Sequence, residues 1–410
     1  DSHHINFNII IYNVFDYLFC LMIIVLPLSF AYPNIILLLL VFIFFFDFKS
    51  TKKIDFSPLK KPSVISIWVL ILYWYLKDII SGHLLDNKHS LFILIFIVPL
   101  LFLKIQNQTR IYVAFVVSGF IVALNASIGL IEYYIANHQL LPFEGTVINQ
   151  ILKMERPYLG FICLIAIISA LNLGFHFKKH AWPMYAYALL MGTFIFIISA
   201  RISSISLIVI LLFYLVFYLK TSLKNKFTFG VIALIAIISF IAMNKNFRER
   251  LYLNGDTAEA ISKLKSYEPR LVIWSCAKEI IQNPDFNHWF GINSEKKIEE
   301  LLVLGYDKKL TNKYRAQYYM DVKLNTHNQF IATYLNSGII GLLLLISFLV
   351  FQFISSKKDF IKTAMIVSLI LFLLVENVLY RQNGVYLFAL IIAITTVNFD
   401  LTKKEIISQH

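Results

Sequence analysis

His327 lies within NTHNQF, at the seam where a long polar stretch gives way to an apolar run extending to about Phe353. An imidazole titrates near neutrality, so at such a boundary it can take a proton from an attacking hydroxyl. Thr326 precedes Gln329 by three residues, the capping-box spacing, which predicts a helix with His327 at its first position and Asn328 at its second. A helix N-terminus disfavours added positive charge, so the expectation is a mainly neutral His327 able to act as a base. Asn328 is a candidate to orient a sugar or the histidine ring.

Four arginines stand at the ends of apolar runs or short helices. Arg156 opens a run in MERPYLGF, Arg201 sits in SARISS with almost no loop around it, and Arg381 lies in ENVLYRQNG about a turn after Glu376. Each is also explained by an arginine that snorkels to lipid headgroups. Arg270 differs, because Pro269 favours the first turn of a helix, where the macrodipole opposes a cation. A bound anion would answer both the arginine and the unpaired N–H groups. Several guanidinium groups on one face suit a phosphate or diphosphate. In the same helix Leu271, Trp274, Lys278 and Ile281 follow at helical spacing until Asn283-Pro284 ends it. A second helix is expected from Ser294 to about Leu304.

No metal ligand set is indicated, and no cofactor is expected. DxD and HExxH pairs do not occur, and the three cysteines are Cys20 and Cys163 in apolar runs and Cys276 alone in polar sequence.

The elements that must hold these residues follow from composition. With 59% hydrophobic and 15% charged residues in 410, too few charges exist to cover a soluble globule. The expected fold class is therefore an all-α polytopic membrane protein. Apolar runs long enough to span, or nearly so, fall at about 9–30, 33–48, 63–80, 90–103, 111–131, 158–175, 182–199, 202–219, 228–243, 328–354, 361–379 and 384–399. That gives about twelve transmembrane helices, with a long, partly helical loop between the ninth and tenth. The expected divisions are 1–243 (nine spans), 244–326 (a helical cap) and 327–410 (three spans and a tail).

The net charge of +13 reflects membrane orientation rather than nucleic-acid binding. With the N-terminus inside, 17 Lys and Arg fall in inside loops and 6 in short outside connections, while 14 lie in 244–326, a loop too long to count. Both termini are thus expected in the cytoplasm, with the cap and His327 outside.

Four patterns resemble the O-antigen ligase-like superfamily, which includes O-antigen ligases, O-antigen polymerases and some protein oligosaccharyltransferases. They are SARISS around Arg201; PRLVIW followed by NPDF and Gly291; THNQF with NSGIIG; and ENVLYRQNG. The resemblance covers roughly the C-terminal half, from about residue 185. It implies an inner-membrane enzyme that uses an undecaprenyl-diphosphate-linked glycan donor on the periplasmic side, without metal. By motif, Arg201 and Arg270 would hold the diphosphate and His327 would activate the acceptor hydroxyl; Trp274 and Asn328 are expected around the substrate, and the charge argument alone adds Arg156 and Arg381. Ile202 and Ser203 depart from the small residue and glycine usual after the first arginine. The favoured acceptor is lipid A–core, which would make the protein a ligase; a second lipid-linked glycan would make it a polymerase. A lipid-linked glycan flippase would need polar residues at mid-span, where this chain has mostly Leu, Ile, Val and Phe.

Overall fold

The computed structural model describes residues 2–46, 54–82, 91–138, 145–228, 230–231, 235, 269–310 and 312–397. Among these residues the chain is helical, with no strand. The helices are α1 (Ser2–Val25), α2 (Tyr32–Phe46), α3 (Pro62–Ser81), α4 (Ile93–Phe102), α5 (Gln108–Asn137), α6 (Gly145–Ile151), α7 (Arg156–His176), α8 (Ala181–Ile197), α9 (Arg201–Phe213), α10 (Pro269–Gln282), α11 (Glu295–Lys309), α12 (Lys313–Val322), α13 (Gln329–Ser356), α14 (Phe360–Leu373) and α15 (Gln382–Thr396).

Five are long and apolar enough to cross a membrane: α3, α5, α7, α9 with its continuation to Tyr218, and α13. Six of the other helices carry shorter apolar stretches: α1 from Asn13, α2, α4, α8, α14 and α15. Together these occupy all but one of the expected apolar runs. The exception, 228–243, lies mostly outside the described residues.

α7 and α15 form the middle of the bundle. The most apolar window of α7 is 89% buried, and α15 is buried from Gly384 to Thr396. Helices apolar on every side belong in such positions. Around them, Leu38, Phe46 and Leu189 are each 70% exposed or more, an outer surface suited to lipid rather than water.

The two ends of the bundle differ chemically. At one end Lys362 donates to Val397 O at 3.2 Å, Lys104 to Ile43 O at 3.4 Å, and Lys61 to Thr396 O. All three acceptors lie at helix C-termini, where the dipole favours a cation. The other end gathers the starts of α7, α9, α13 and α15 together with the polar segment.

That segment has a small core of its own. Ile273 and Cys276 of α10, Leu302 and Tyr306 of α11 and Tyr319 of α12 pack together and onto Leu335 of α13. α10 covers the helix expected from Pro269, and α11 begins after the expected Ser294, whose side chain caps it, but runs on to Lys309. α12 was not expected.

α13 is broken at Gly338, whose φ of +63° and ψ of −162° no helix contains. The released groups are met by a passing ribbon of backbone: Ile292 N donates to Leu335 O, Asn293 N to Asn336 O, and Ile339 N to His288 O, at 2.8–2.9 Å. From α3, Tyr73 donates to Ser337 O at 3.1 Å and Lys77 to Asn336 O at 3.0 Å. An interrupted helix at membrane depth is stable only when its backbone is satisfied in this way. The ribbon comes so close that a Cβ on Gly338 would lie 2.3 Å from the Trp289 carbonyl.

Candidate active site

His327 is held between two loops. The first is 324–328, before α13; the second is 374–381, between α14 and α15. Asn377 joins them, its Oδ1 accepting from Asn328 N at 2.7 Å and from Thr326 Oγ1 at 3.0 Å. Asn328 Nδ2 donates to Leu374 O at 2.9 Å, and Gln329 Oε1 accepts from Leu379 N at 2.9 Å. α10 secures the same loops from the polar segment, with Trp274 Nε1 donating to Thr326 O at 2.9 Å and Arg270 to Val375 O at 3.1 Å.

The expected capping box does not form. The helix begins at Gln329 with Asn328 as its N-cap, the Asn328 side chain accepting from Ile331 N at 3.0 Å. The Thr326 hydroxyl is drawn to Asn377 and the Gln329 amide to Leu379, so neither closes the box. His327 therefore precedes the helix, at a φ of +43°, with its N–H donated to Asn325 Oδ1 at 3.0 Å. Asn328 has both ends of its amide engaged within the protein.

The electrostatic setting of His327 also differs from the expectation. The charged group on its ring is a carboxylate: Nδ1 lies 3.4 Å from Glu376 Oε2. The other oxygen, Oε1, lies 3.5 Å from the Arg270 guanidinium. The Glu376 side chain is 5% exposed and His327 is 22% exposed. A carboxylate only accepts, so the hydrogen belongs on Nδ1 and the lone pair of Nε2 is left to take a proton. Arg270 fixes the carboxylate that fixes the ring. The anion that a cation in the first turn of α10 called for is thus supplied, at least in part, by the protein itself.

The other arginines gather around the first turns of α7. Arg156 is its first residue, with the backbone N–H donating to Asn149 at 3.2 Å and the Nη1 atom buried without a hydrogen-bond partner among the described residues. Arg201 opens α9 directly after the turn 198–200, with Ser199 at a φ of +52°. α9 crosses α7 at Gly160, where a Cβ would fall 2.7 Å from the Ala200 side chain. That approach sets the start of α9 against the second turn of α7. Arg381 is paired with Glu155 instead of Glu376, and its guanidinium lies 5.8 Å from the centre of the Tyr158 ring. Tyr158 in turn packs edge-on to Phe372 of α14 and feels the charges of Glu376 and Arg381. It links the two groups of residues.

Glu376, Asn377, Glu155 and Tyr158 are the site residues that the sequence reading missed. Glu376 and Asn377 stand in a pattern read for its arginine, yet a carboxylate beside a carboxamide at the end of an apolar run was itself the signal.

No curated protein matches the chain. Residues 186–346 match the family model described as O-antigen ligase. That range contains Arg201, Arg270, Trp274, His327 and Asn328, and ends before Glu376. The matched stretch runs from α8 into α13 and supports the O-antigen ligase-like superfamily, whose members are ligases and polymerases of glycans.

Proposed function

We propose that this protein transfers a glycan from an undecaprenyl-diphosphate carrier to a hydroxyl acceptor at the periplasmic face of the inner membrane, and that the acceptor is lipid A–core. The observation that carries the reading is the chain Arg270–Glu376–His327, a base with its orienting carboxylate already in place. The acceptor O–H gives its proton to His327 Nε2 as its oxygen bonds to the anomeric carbon. The bond from that carbon to the diphosphate oxygen breaks, and the lipid diphosphate leaves with the electron pair. Arg201 and Arg270 are assigned to the charge that develops there. Twelve spans with both termini in the cytoplasm would set the 269–327 segment and the site on the periplasmic side, as the distribution of Lys and Arg suggests.

The test is purified protein with a lipid-diphosphate glycan donor and either lipid A–core or a second donor as acceptor. Transfer to lipid A–core that disappears in His327→Ala supports the proposal. Intact turnover in that variant would remove His327 as the base. Transfer only to the second donor would make the protein a polymerase, and a deletion strain would then keep a single repeat on its lipopolysaccharide.

A further inference from the structure

A cavity of about 600 Å³ opens at the same end of the bundle, lined by Tyr158 and by Arg381 at the end of the Glu376 loop. Its walls are the 27–30 turn between α1 and α2, the connection from α6 into α7, and the start of α15. The volume falls within the range of small-ligand pockets. Nothing in the transfer chemistry described above uses it.

Its two cations are both engaged within the protein, and Lys153 Nζ donates to Asn125 Oδ1 at 3.3 Å. Arg381 is neutralised by its pairing with Glu155, which lines the same wall. Carboxamides are prominent instead: Asn149, Gln150 and Asn383 all face the cavity. Each such group both donates and accepts, which matches the paired donor and acceptor character of sugar hydroxyls.

Two buried polar atoms add an independent reason for a ligand. The Tyr158 hydroxyl, on a residue 3% exposed, and Asn383 Oδ1 have no hydrogen-bond partner among the described residues. Buried groups of this kind are costly when unmet, and both belong to residues lining one cavity. A molecule carrying several hydroxyls would satisfy a donor and an acceptor together.

We infer that this cavity is a carbohydrate subsite holding one or two uncharged sugar rings beside the His327 centre. The inference rests on the glycan-transfer reading and deepens it. The sugars come either from the acceptor or from the donor glycan, and the two sources separate experimentally.

The experiment is calorimetric titration of the full chain in detergent with two soluble probes. One is core oligosaccharide released from lipopolysaccharide by mild acid; the other is the repeat oligosaccharide released from its lipid carrier. Binding of the first assigns the cavity to the acceptor, and binding of the second to the donor. Asn383→Ala removes one buried acceptor, and Gln150→Trp fills the cavity from an exposed side chain. Each is expected to weaken binding about tenfold or more. A monodisperse elution profile checks that each variant is folded, and Gln150→Trp decides the matter if Asn383→Ala is not. No binding of either probe at millimolar concentration, or unchanged binding in Gln150→Trp, would overturn the subsite. Binding lost in Gln150→Trp while His327→Ala still turns over would keep the subsite and remove the catalytic reading.

Discussion

Replacing Glu376 by Gln keeps the shape of the side chain and removes its charge. An amide oxygen can still accept from His327 Nδ1, but it cannot stabilise the imidazolium that forms when Nε2 takes a proton. Arg270 also loses the carboxylate 3.5 Å away. Glu376→Gln should therefore lower kcat roughly 100-fold, a loss typical of removing the partner that orients a histidine, with little change in KM. Steady-state rates at saturating acceptor would show it, and an unaltered kcat would remove Glu376 from the mechanism. Cys276 offers a contrast, since burial pushes its thiol up to about 11. Between about 8.5, the ordinary thiol value, and that figure, the folded chain keeps a proton that the unfolded chain has lost. Stability should thus fall as pH rises through that window. At pH 8 the folded protein should react with maleimide far more slowly at Cys276 than the denatured protein does, as a timed alkylation would reveal.

The break in α13 and the loop pair around His327 are where sequence and structure part at the scale of elements. Pro269, Asn283-Pro284 and Ser294 mark their helices through local chemistry, and α10 and α11 were readable for that reason. α12 was not, because its KYRAQYYMDV sequence buries only Ala316 and Tyr319 and shows no apolar stripe. The start of α13 failed differently. Thr326 and Asn328 are both good caps, and the choice is made by Asn377, some fifty residues away. Asn377→Ala should leave the Asn328 N–H buried and unmet, costing about 1–3 kcal/mol and loosening His327. The expected result is a lower thermal midpoint together with lower kcat. Gly338→Ala should cost at least about 2 kcal/mol, since a side chain at positive φ is strained and its Cβ would meet the Trp289 carbonyl. Thermal unfolding in detergent measures both, and an unshifted Gly338→Ala would contradict the close passage of the 288–293 ribbon.

At the scale of the molecule, composition and the placement of Lys and Arg were enough to expect a helical bundle with chemically different ends. What they could not give was the way those ends close. Lys61, Lys104 and Lys362, expected in inside loops, are tied to carbonyls at one end, while His327, Arg270 and Glu376 meet at the other. Neither arrangement is local in sequence. Their sidedness has a direct test because all three cysteines, Cys20, Cys163 and Cys276, are buried. A single added thiol can therefore be read without first removing them. Tyr314, on α12, is 88% exposed, and Leu223, beyond the far end of α9, is 84% exposed. In intact spheroplasts a membrane-impermeant maleimide should label Tyr314→Cys and spare Leu223→Cys, and permeabilisation should expose the second. The reverse pattern would put the polar segment in the cytoplasm. His327 would then face the wrong side for a periplasmic acceptor, whatever its geometry with Glu376.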